Sequence, residues 1–559
     1  MSKTKNIDST RAQESTNAIE KLYISMRHLF SRGFYKPMGI SGETLRKSLL
    51  LLRPEIYGSI AEERTELDGL VYVIERLPEG IEECQFINLT ADEGYKNSHF
   101  EAIIPTKRRR NCYRIDKDQM NIEITRGRSE IYDILTHLTF LFVESHKIQQ
   151  RVSLNDGEDF IREWNYLEDV VLHQKVILEK EREVLIVHLG SILGRTYEEV
   201  SGLYKIFSTE KNPLKFFNII YWLGKLAIKE VFENKKRTIT FSSVLIEEIG
   251  HHIYGEIWAN DIKKVLQENT LLQRPIHIIS ANMHSVLNSI YAKGALPEEA
   301  KKYKGFELYQ ILSNPDSKPL QKKVKDYASE NGLTYIKDTS GTNINVQIID
   351  TDKINFDVSS FERENSLEQN SVIIVMDYAF GEQAFETMDE LLKPYGTKKD
   401  SIHLDVKSVS IMGKAGILEG GKGDIMIPDA HIFEGTADNY PFKNELTKEH
   451  LEGFGVEVFD GTMVSVLGTS LQNKDLLKFF HDSTWNVIGL EMEGAHYQKA
   501  IQSASRIRGN ISENVKVRYA YYASDNPLET GATLASGGLG MTGVTPTYAI
   551  TQKILEQIF

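Results

Sequence analysis

At 559 residues the chain is too long for one hydrophobic core, and its length points to two to four domains. Hydrophobic residues make up 41% and charged ones 26%, and a net charge of −13 argues against a broad nucleic-acid-binding surface. Two cysteines, Cys84 and Cys112, provide no disulfide framework, and no apolar run approaches the ~20 residues of a membrane span. The polar start, Ser2-Lys3-Thr4-Lys5-Asn6, leads into no apolar signal-peptide core, so a cytoplasmic protein without a membrane partner is expected.

Residues 1–270 read as a mostly helical N-terminal domain of unassigned role. Residues 15–30 predict a capped amphipathic helix with Ile19, Leu22, Tyr23 and Met26 on one face. Residues 129–149 predict a longer, more buried helix carrying Ile131, Ile134, Leu135, Leu138, Leu141 and Phe142. A charged helix is expected at 163–183 and others at 213–234 and 242–269, while 69–115 alternates more like strands and loops.

The rhythm changes at Arg274-Pro275, where a second domain, 271–559, begins. Ile276-His277-Ile278-Ile279-Ser280 predicts a short strand, with a helix after it over 283–291. Residues 335–337 and 345–349 predict a strand pair around Ser340-Gly341, within a stretch, 300–370, that reads as an insertion. Then come a strand at 371–376, a helix at 382–392, strands at 408–412, 487–490 and 515–522, and a final helix at 547–558. Apolar strands alternating with helices predict a sheet covered on both faces, which binds ligands at the carboxyl ends of its strands.

Two acidic strings sit at such ends: Gly489-Leu490-Glu491-Met492-Glu493-Gly494-Ala495 and Ala523-Ser524-Asp525-Asn526-Pro527. A buried carboxylate needs partners, because burying an unpaired charge is costly. Taken singly, Glu493 reads as an acid complementing a helix dipole and Asp525 as a turn residue before Asn-Pro. Taken together, they suit a polyhydroxylated, basic ligand such as a nucleoside.

The strings belong to an ordered succession. Gly413-Lys414-Ala415-Gly416 is followed by Gly423-Asp424-Ile425-Met426-Ile427-Pro428, Glu434-Gly435-Thr436 with Tyr440-Pro441, and Gly461-Thr462-Met463-Val464-Ser465. Glu491-Met492-Glu493-Gly494-Ala495 and Ser524-Asp525 complete it. From about Arg274 to Phe559 this resembles the purine nucleoside and uridine phosphorylase superfamily, which includes nucleosidases such as AMP nucleosidase. The resemblance implies a three-layer α/β/α phosphorylase-type sandwich with a central mixed sheet, following the mostly α-helical N-terminal domain. It also implies cleavage of the N-glycosidic bond of a purine nucleoside or nucleotide, a homo-oligomer, and no cofactor or metal. Position by position, Asp525 matches the general acid toward N7 of the base and Glu493 the carboxylate that grips the ribose hydroxyls. Met492 matches a residue packed on the sugar. Gly413, Lys414, Ala415 and Gly416 match a glycine turn facing the anion or nucleophile, and Phe380 and Gly381 a second glycine turn. Glu491 and Ser524 join the same substrate-binding set.

Departures from the pattern shift the expected chemistry. Ile411 and the loop Ser280-Ala281-Asn282-Met283-His284 stand where phosphorolytic members carry phosphate-binding arginines, so water becomes the favoured nucleophile. The water-activating glutamate of methylthioadenosine-type nucleosidases is missing, with His284 and Ser285 nearest to its place. The base-stacking aromatic is replaced in Val466-Leu467-Gly468-Thr469-Ser470-Leu471. Lys414 instead places a cation in the glycine segment, a hint of a phosphorylated substrate or of contact with phosphate. Nucleoside phosphorylase and a catalytically inactive nucleotide-binding regulator are the alternatives to a nucleosidase. Elsewhere, Lys107-Arg108-Arg109-Arg110 reads as a solvated loop and His137 and His146 as core or interface histidines. Glu247, Glu248, His251 and His252 share i, i+4 spacing on an expected helix, an incomplete metal shell.

Overall fold

A computed structural model describes residues 2–108, 110–157, 159–175, 177–361, 370–397, 400–436, 438–529 and 539–559. The chain divides into two compact units. Unit 1 comprises Met1–Thr125, Glu130–Gly250 and Ser470–Asn473; unit 2 comprises Arg126–Ser129, His251–Thr469 and Lys474–Phe559. Among the described residues no helix is long and apolar enough to cross a membrane.

Unit 1 packs long helices, among them Ser2–Arg32 and Lys215–Phe232, with a six-stranded sheet. The sheet runs in the order Phe34–Tyr35, Thr238–Phe241, Phe86–Thr90, Gln119–Glu123, Cys112–Asp116, Ala102–Ile103. The helix Gly127–Val152 buries Ile131, Ile134, Leu135, Leu138, Leu141 and Phe142, the stripe expected from periodicity. The charged helix expected at 163–183 is two helices, Arg162–Leu172 and Glu179–Leu193, parted where Gln174 takes a left-handed φ of 44°. The helix expected at 242–269 is likewise broken into Ser243–Gly250 and Ile253–Glu268 by His252 at φ 55°. That break removes the single helical face on which Glu247, Glu248, His251 and His252 were to converge. Arg110 is buried and Arg108 half-buried, and each guanidinium lies 3.2 Å from Asp133; Arg109 lies outside the described residues. Both cysteines are buried and unbridged. His137 is a core histidine, bonded to the Tyr57 hydroxyl at 3.1 Å and 3.2 Å from Asp133.

Unit 2 is a mixed sheet covered on both faces. Its strands are β1 (Ile276–Ser280), β2 (Leu333–Ile336), β3 (Val346–Asp350), β4 (Val372–Met376), β5 (Val406–Ile417), β6 (Ile425–Phe433), β7 (Asn439–Pro441), β8 (Val458–Ser465), β9 (Val487–Glu491) and β10 (Lys516–Asp525). They are ordered β2-β3-β4-β1-β5-β9-β8-β6-β7, with β10 joining β5 to β6. The strands β5, β9, β8, β6 and β10 therefore close a ring.

Side-chain alternation along the strands feeds two separate cores, as a sheet buried on both faces requires. Val372, Ile374, Met376, Tyr519 and Tyr521 pack with helices α1 (Ile253–Glu268), α3 (Gln383–Leu391) and α4 (Gly494–Gln502). Ile373, Val375, Ala520 and Tyr522 pack on the other face with α2 (Met283–Ala295), the helix Lys318–Glu330 and α5 (Val544–Glu556). This is the three-layer α/β/α sandwich. The pair expected around Ser340-Gly341 is the antiparallel pair β2 and β3, at the edge of the sheet.

Candidate functional site

The residues expected to form the site lie at or just after the carboxyl ends of β4, β5, β9 and β10. Gly413–Gly416 forms no turn. Strand β5 continues through it to Ile417, and neither Gly413 nor Gly416 has a positive φ. The glycines instead let β5 pair on both sides at its end. Gly416 faces Leu490 of β9 in an antiparallel ladder and Asp525 of β10 in a parallel one. The backbones bearing Asp525 and the Glu491–Glu493 string are thus two strand spacings apart, about 10 Å.

A β-bulge between Ala415 and Gly416 skips Ser524, so Lys414 pairs with Tyr522, Ala415 with Ala523 and Gly416 with Asp525. A one-residue slip exchanges the faces of a strand. The bulge therefore returns Asp525 to the face shared by Lys414 and Tyr522. Ser524 Oγ lies 3.0 Å from the Ala415 carbonyl and also within hydrogen-bond reach of Asp525 Oδ1. Asp525 is 7% exposed, and its Oδ2 is buried without a hydrogen-bond partner. Burial raises its pKa, opposed by the Ser524 hydroxyl and the positive charges of Lys414 and Lys422. Burial thus disfavours the charged form of Asp525 and leaves one carboxyl oxygen without a protein partner.

Glu491 and Glu493 divide the work at the start of α4. Both Glu491 oxygens are committed: Oε1 accepts from the Ser465 hydroxyl at the end of β8, and Oε2 from the backbone N–H groups of Glu493 and Gly494. Ser465 Oγ in turn accepts the Ala495 N–H at 2.7 Å. Glu491 is 5% exposed and serves as an internal helix cap. Glu493 Oε1 accepts the Gly381 N–H at 2.9 Å and its Oε2 the Met492 N–H at 3.3 Å. Burial, and secondarily the charge of Glu493, pushes Glu491 up to about 8; burial pushes Glu493 up to about 7. Two neighbouring buried carboxyls of this kind share protons near neutrality.

Gly381 sits at φ +56°, which glycine adopts without strain. A Cβ there would lie 2.7 Å from Ser129 Cβ and closer still to Ser129 Oγ. Ser129 Oγ also accepts the Glu382 N–H at 2.8 Å, and Arg128 pairs with Glu382 at 3.1 Å. Phe380 is half-buried, its N–H bonded to Gln383 Oε1 at 3.1 Å. Met492 packs on the cluster of Leu418, Ile432, Val464 and Leu490. The Tyr378 hydroxyl, 3.3 Å from that of Tyr522, links the ends of β4 and β10, and Tyr497 bonds Ser280 Oγ at 3.0 Å. Sequence reasoning named Ser465 only as the end of the Gly461–Ser465 string, without its bond to Glu491, and missed Ser129, Arg128 and Tyr378.

A cavity of about 870 Å³ opens at this end of the sheet, lined by Asn282, His284, Asp377, Lys414 and Tyr522 among others. Its described lining includes neither Asp525 nor Glu493. Ser285 does not reach it: its hydroxyl is held by the Asn282 carbonyl and by Thr551 Oγ1, each at 2.8 Å. Ile411 is buried in the core.

The model of a family described as "Family of unknown function (DUF6909)" matches residues 43–302 and 298–559. No curated protein matches the sequence. Among solved structures, native futalosine hydrolase of Helicobacter pylori strain 26695 is similar at 12% identity, over 52% of this chain and 99% of that one, with a TM-score of 0.31. The 5′-methylthioadenosine/S-adenosyl homocysteine nucleosidase of Campylobacter jejuni is similar at 10% identity, over 51% and 99%, with a TM-score of 0.30. Uridine phosphorylase of Schistosoma mansoni in complex with thymine is similar at 12% identity, over 53% and 93%, with a TM-score of 0.31.

Proposed function

The chain belongs to the DUF6909 family, and we propose that unit 2 cleaves the N-glycosidic bond of a purine nucleoside or nucleotide, with water as the nucleophile. The observation that carries this reading is Gly416 paired with Leu490 of β9 on one side and Asp525 of β10 on the other, which puts the strand end bearing Asp525, with its idle Oδ2, about 10 Å from the one bearing the Glu491–Glu493 string. Breaking the ribosyl bond leaves negative charge on the base and positive charge on the sugar. Asp525 gives its proton to the departing base, a role worth about 10²–10⁴-fold in rate. Glu493, aimed by the Gly381 N–H, holds the ribose hydroxyls and stabilises the cationic ring. Ile411, buried in the core, offers no guanidinium where phosphorolytic members carry an arginine, which supports water over phosphate.

The test is release of free base from AMP, adenosine, inosine and methylthioadenosine, with and without phosphate. Phosphate-independent release supports hydrolysis, and ribose 1-phosphate reassigns the reaction to phosphorolysis. Asp525→Asn should lower turnover by about 10²-fold or more; near-normal turnover removes the general-acid role. Tight nucleotide binding without base release would make unit 2 a sensor.

A further inference from the structure

We propose that unit 1 carries a binding site of its own, at the carboxyl end of its sheet, where Glu123, Thr90 and Tyr113 hold the ammonium group of a small amine. It is independent of the chemistry proposed for unit 2. The strands Thr238–Phe241, Phe86–Thr90 and Gln119–Glu123 are parallel neighbours, so their carboxyl ends share one edge, where open sheets bind ligands. Register separates the two faces of this sheet. Ile87, Leu89, Ile122 and Ile239 fall on one face and are buried, an ordinary apolar core. The other face is polar. Thr240, Asn88, Asn121 and Tyr113 form one cross-strand row, and Thr90 and Glu123 the next. A polar sheet face ordinarily meets water. This one is covered: Thr90 and Tyr113 are 0% exposed, Asn121 1% and Glu123 4%.

The hydrogen bonds of this face stop short of its end. Asn111 Nδ2 donates to Glu123 Oε2 at 2.8 Å, and Thr240 Oγ1 to Asn88 Oδ1 at 2.9 Å. Glu123 Oε1, Thr90 Oγ1 and the Tyr113 hydroxyl are buried without a partner. Thr90 stands directly opposite Glu123 in the ladder. Burial, and after it the Glu123 charge, pushes Tyr113 up to about 12, yet the two groups make no hydrogen bond. Three neighbouring polar groups left unbonded under cover are costly, and one ligand that bonds all three removes that cost.

Charge selects the ligand. Among the described residues Glu123 is in no ion pair, and Lys96 is committed to Asp92 at 2.9 Å. Burial raises the Glu123 pKa, the Asn111 amide opposes this, and the Asp92 charge raises it further, so a bound cation relieves the carboxylate. An anion is repelled here. Calcium and magnesium ions ask for about six or more oxygens. An ammonium group brings three N–H donors and no acceptor, one donor for each idle oxygen, and the two hydroxyls accept while turning their own hydrogens aside. Tyr95 stacks on Tyr113 with ring centroids 5.3 Å apart, from a loop whose Asp92, Gly94, Lys96, Ser98 and His99 are exposed, which leaves a short path to solvent.

The test is hydrogen–deuterium exchange of the full chain over residues 86–123 in methylammonium chloride, set against tetramethylammonium chloride at equal ionic strength, a cation without N–H groups. Methylammonium should slow exchange there saturably, by about ten-fold, and the tetramethyl salt should not. Glu123→Gln should abolish the slowing, and Thr90→Val should raise the half-saturating concentration about ten-fold or more. Without amine, Thr90→Val and Tyr113→Phe should melt at or above the wild-type temperature, since each keeps its shape and deletes an unbonded hydroxyl. Exchange indifferent to methylammonium, slowed equally by both salts, or slowed equally in Glu123→Gln overturns the proposal. A response to magnesium, calcium or potassium chloride in place of methylammonium overturns it too. So does a lowered melting temperature in both hydroxyl variants, which would show those groups already bonded within the protein. Base release enters none of these readouts, so the cleavage reading stands or falls separately.

Discussion

The carboxyl pair at the start of α4 makes a prediction about stability that needs no substrate. Glu491 is held protonated by burial up to about pH 8, against an ordinary carboxylate value of 4.5 in the unfolded chain. Between these values the native state binds a proton that the unfolded state has lost, so this group's contribution falls as pH rises, by about 1.4 kcal/mol per pH unit. Glu491→Gln mimics the protonated form: its amide oxygen can accept the N–H groups of Glu493 and Gly494, and its N–H₂ can donate to Ser465 Oγ once that hydroxyl, which donates to Glu491 Oε1 in the wild type, turns its hydrogen away. The variant should therefore gain on the wild type as pH rises, by about 3 kcal/mol between pH 5 and pH 7. Chemical denaturation in a Trp164→Phe/Trp222→Phe background leaves Trp258 and Trp485 to report on unit 2. Taking the difference between variant and parent cancels the titrating groups outside this pair, so the change reports on Glu491 together with its coupling to Glu493. A difference that stays constant within about 0.5 kcal/mol across that window would refute the claim that Glu491 is neutral in the fold.

Two glycines offer steric tests of the same region. Gly381→Ala should destabilise unit 2 by about 1–2 kcal/mol for the left-handed backbone, plus a clash with Ser129. Adding Ser129→Gly should recover only the clash, which a double-mutant cycle of denaturation midpoints will reveal as positive coupling; additive effects would remove the contact from the account. Gly494→Ala should cost about 3 kcal/mol, because its Cβ would meet the His431 ring and lie 2.7 Å from the Tyr521 hydroxyl. His431 cannot step aside easily, being buried and bonded to Tyr521 at 3.1 Å. A thermal melt matching the wild type would show that this packing has slack.

What the sequence disclosed follows the range of the forces involved. Strand β1 was legible to the residue because an apolar, β-branched run buried on both faces has little alternative. Strand β5 was cut short because glycines ordinarily mark turns, whereas here they sit where one strand serves two neighbours. The sheet of unit 1 was largely hidden, since edge strands of two residues such as Phe34–Tyr35 and Ala102–Ile103 leave too little pattern to detect. The carboxylates Glu493 and Asp525 were visible through their neighbours in sequence. So were their direct partners Gly381, Met492 and Ser524; the hydroxyls that hold the neighbouring acids were not, since Ser129 reaches Glu382 across 253 positions and Ser465 reaches Glu491 across 26. No local signal encodes a hydroxyl whose purpose is a partner so far along the chain.

The bulge at Ser524 connects these observations. Without it, side-chain parity would carry Asp525 to the face of Tyr519, Tyr521 and Ala523, into the core shared with α1, α3 and α4. A carboxyl there would meet packed aromatic rings and no ligand, and burying it would cost stability for nothing. With one residue skipped, Asp525 falls in line with Tyr522 and Lys414, on the side where the cavity and its cations lie. The skipped residue is a serine whose hydroxyl lies within reach of the Ala415 carbonyl and of the displaced carboxyl. The irregularity in the ladder thus turns an acid to the Lys414 face of the strand, and the same serine stabilises the irregular backbone that does so.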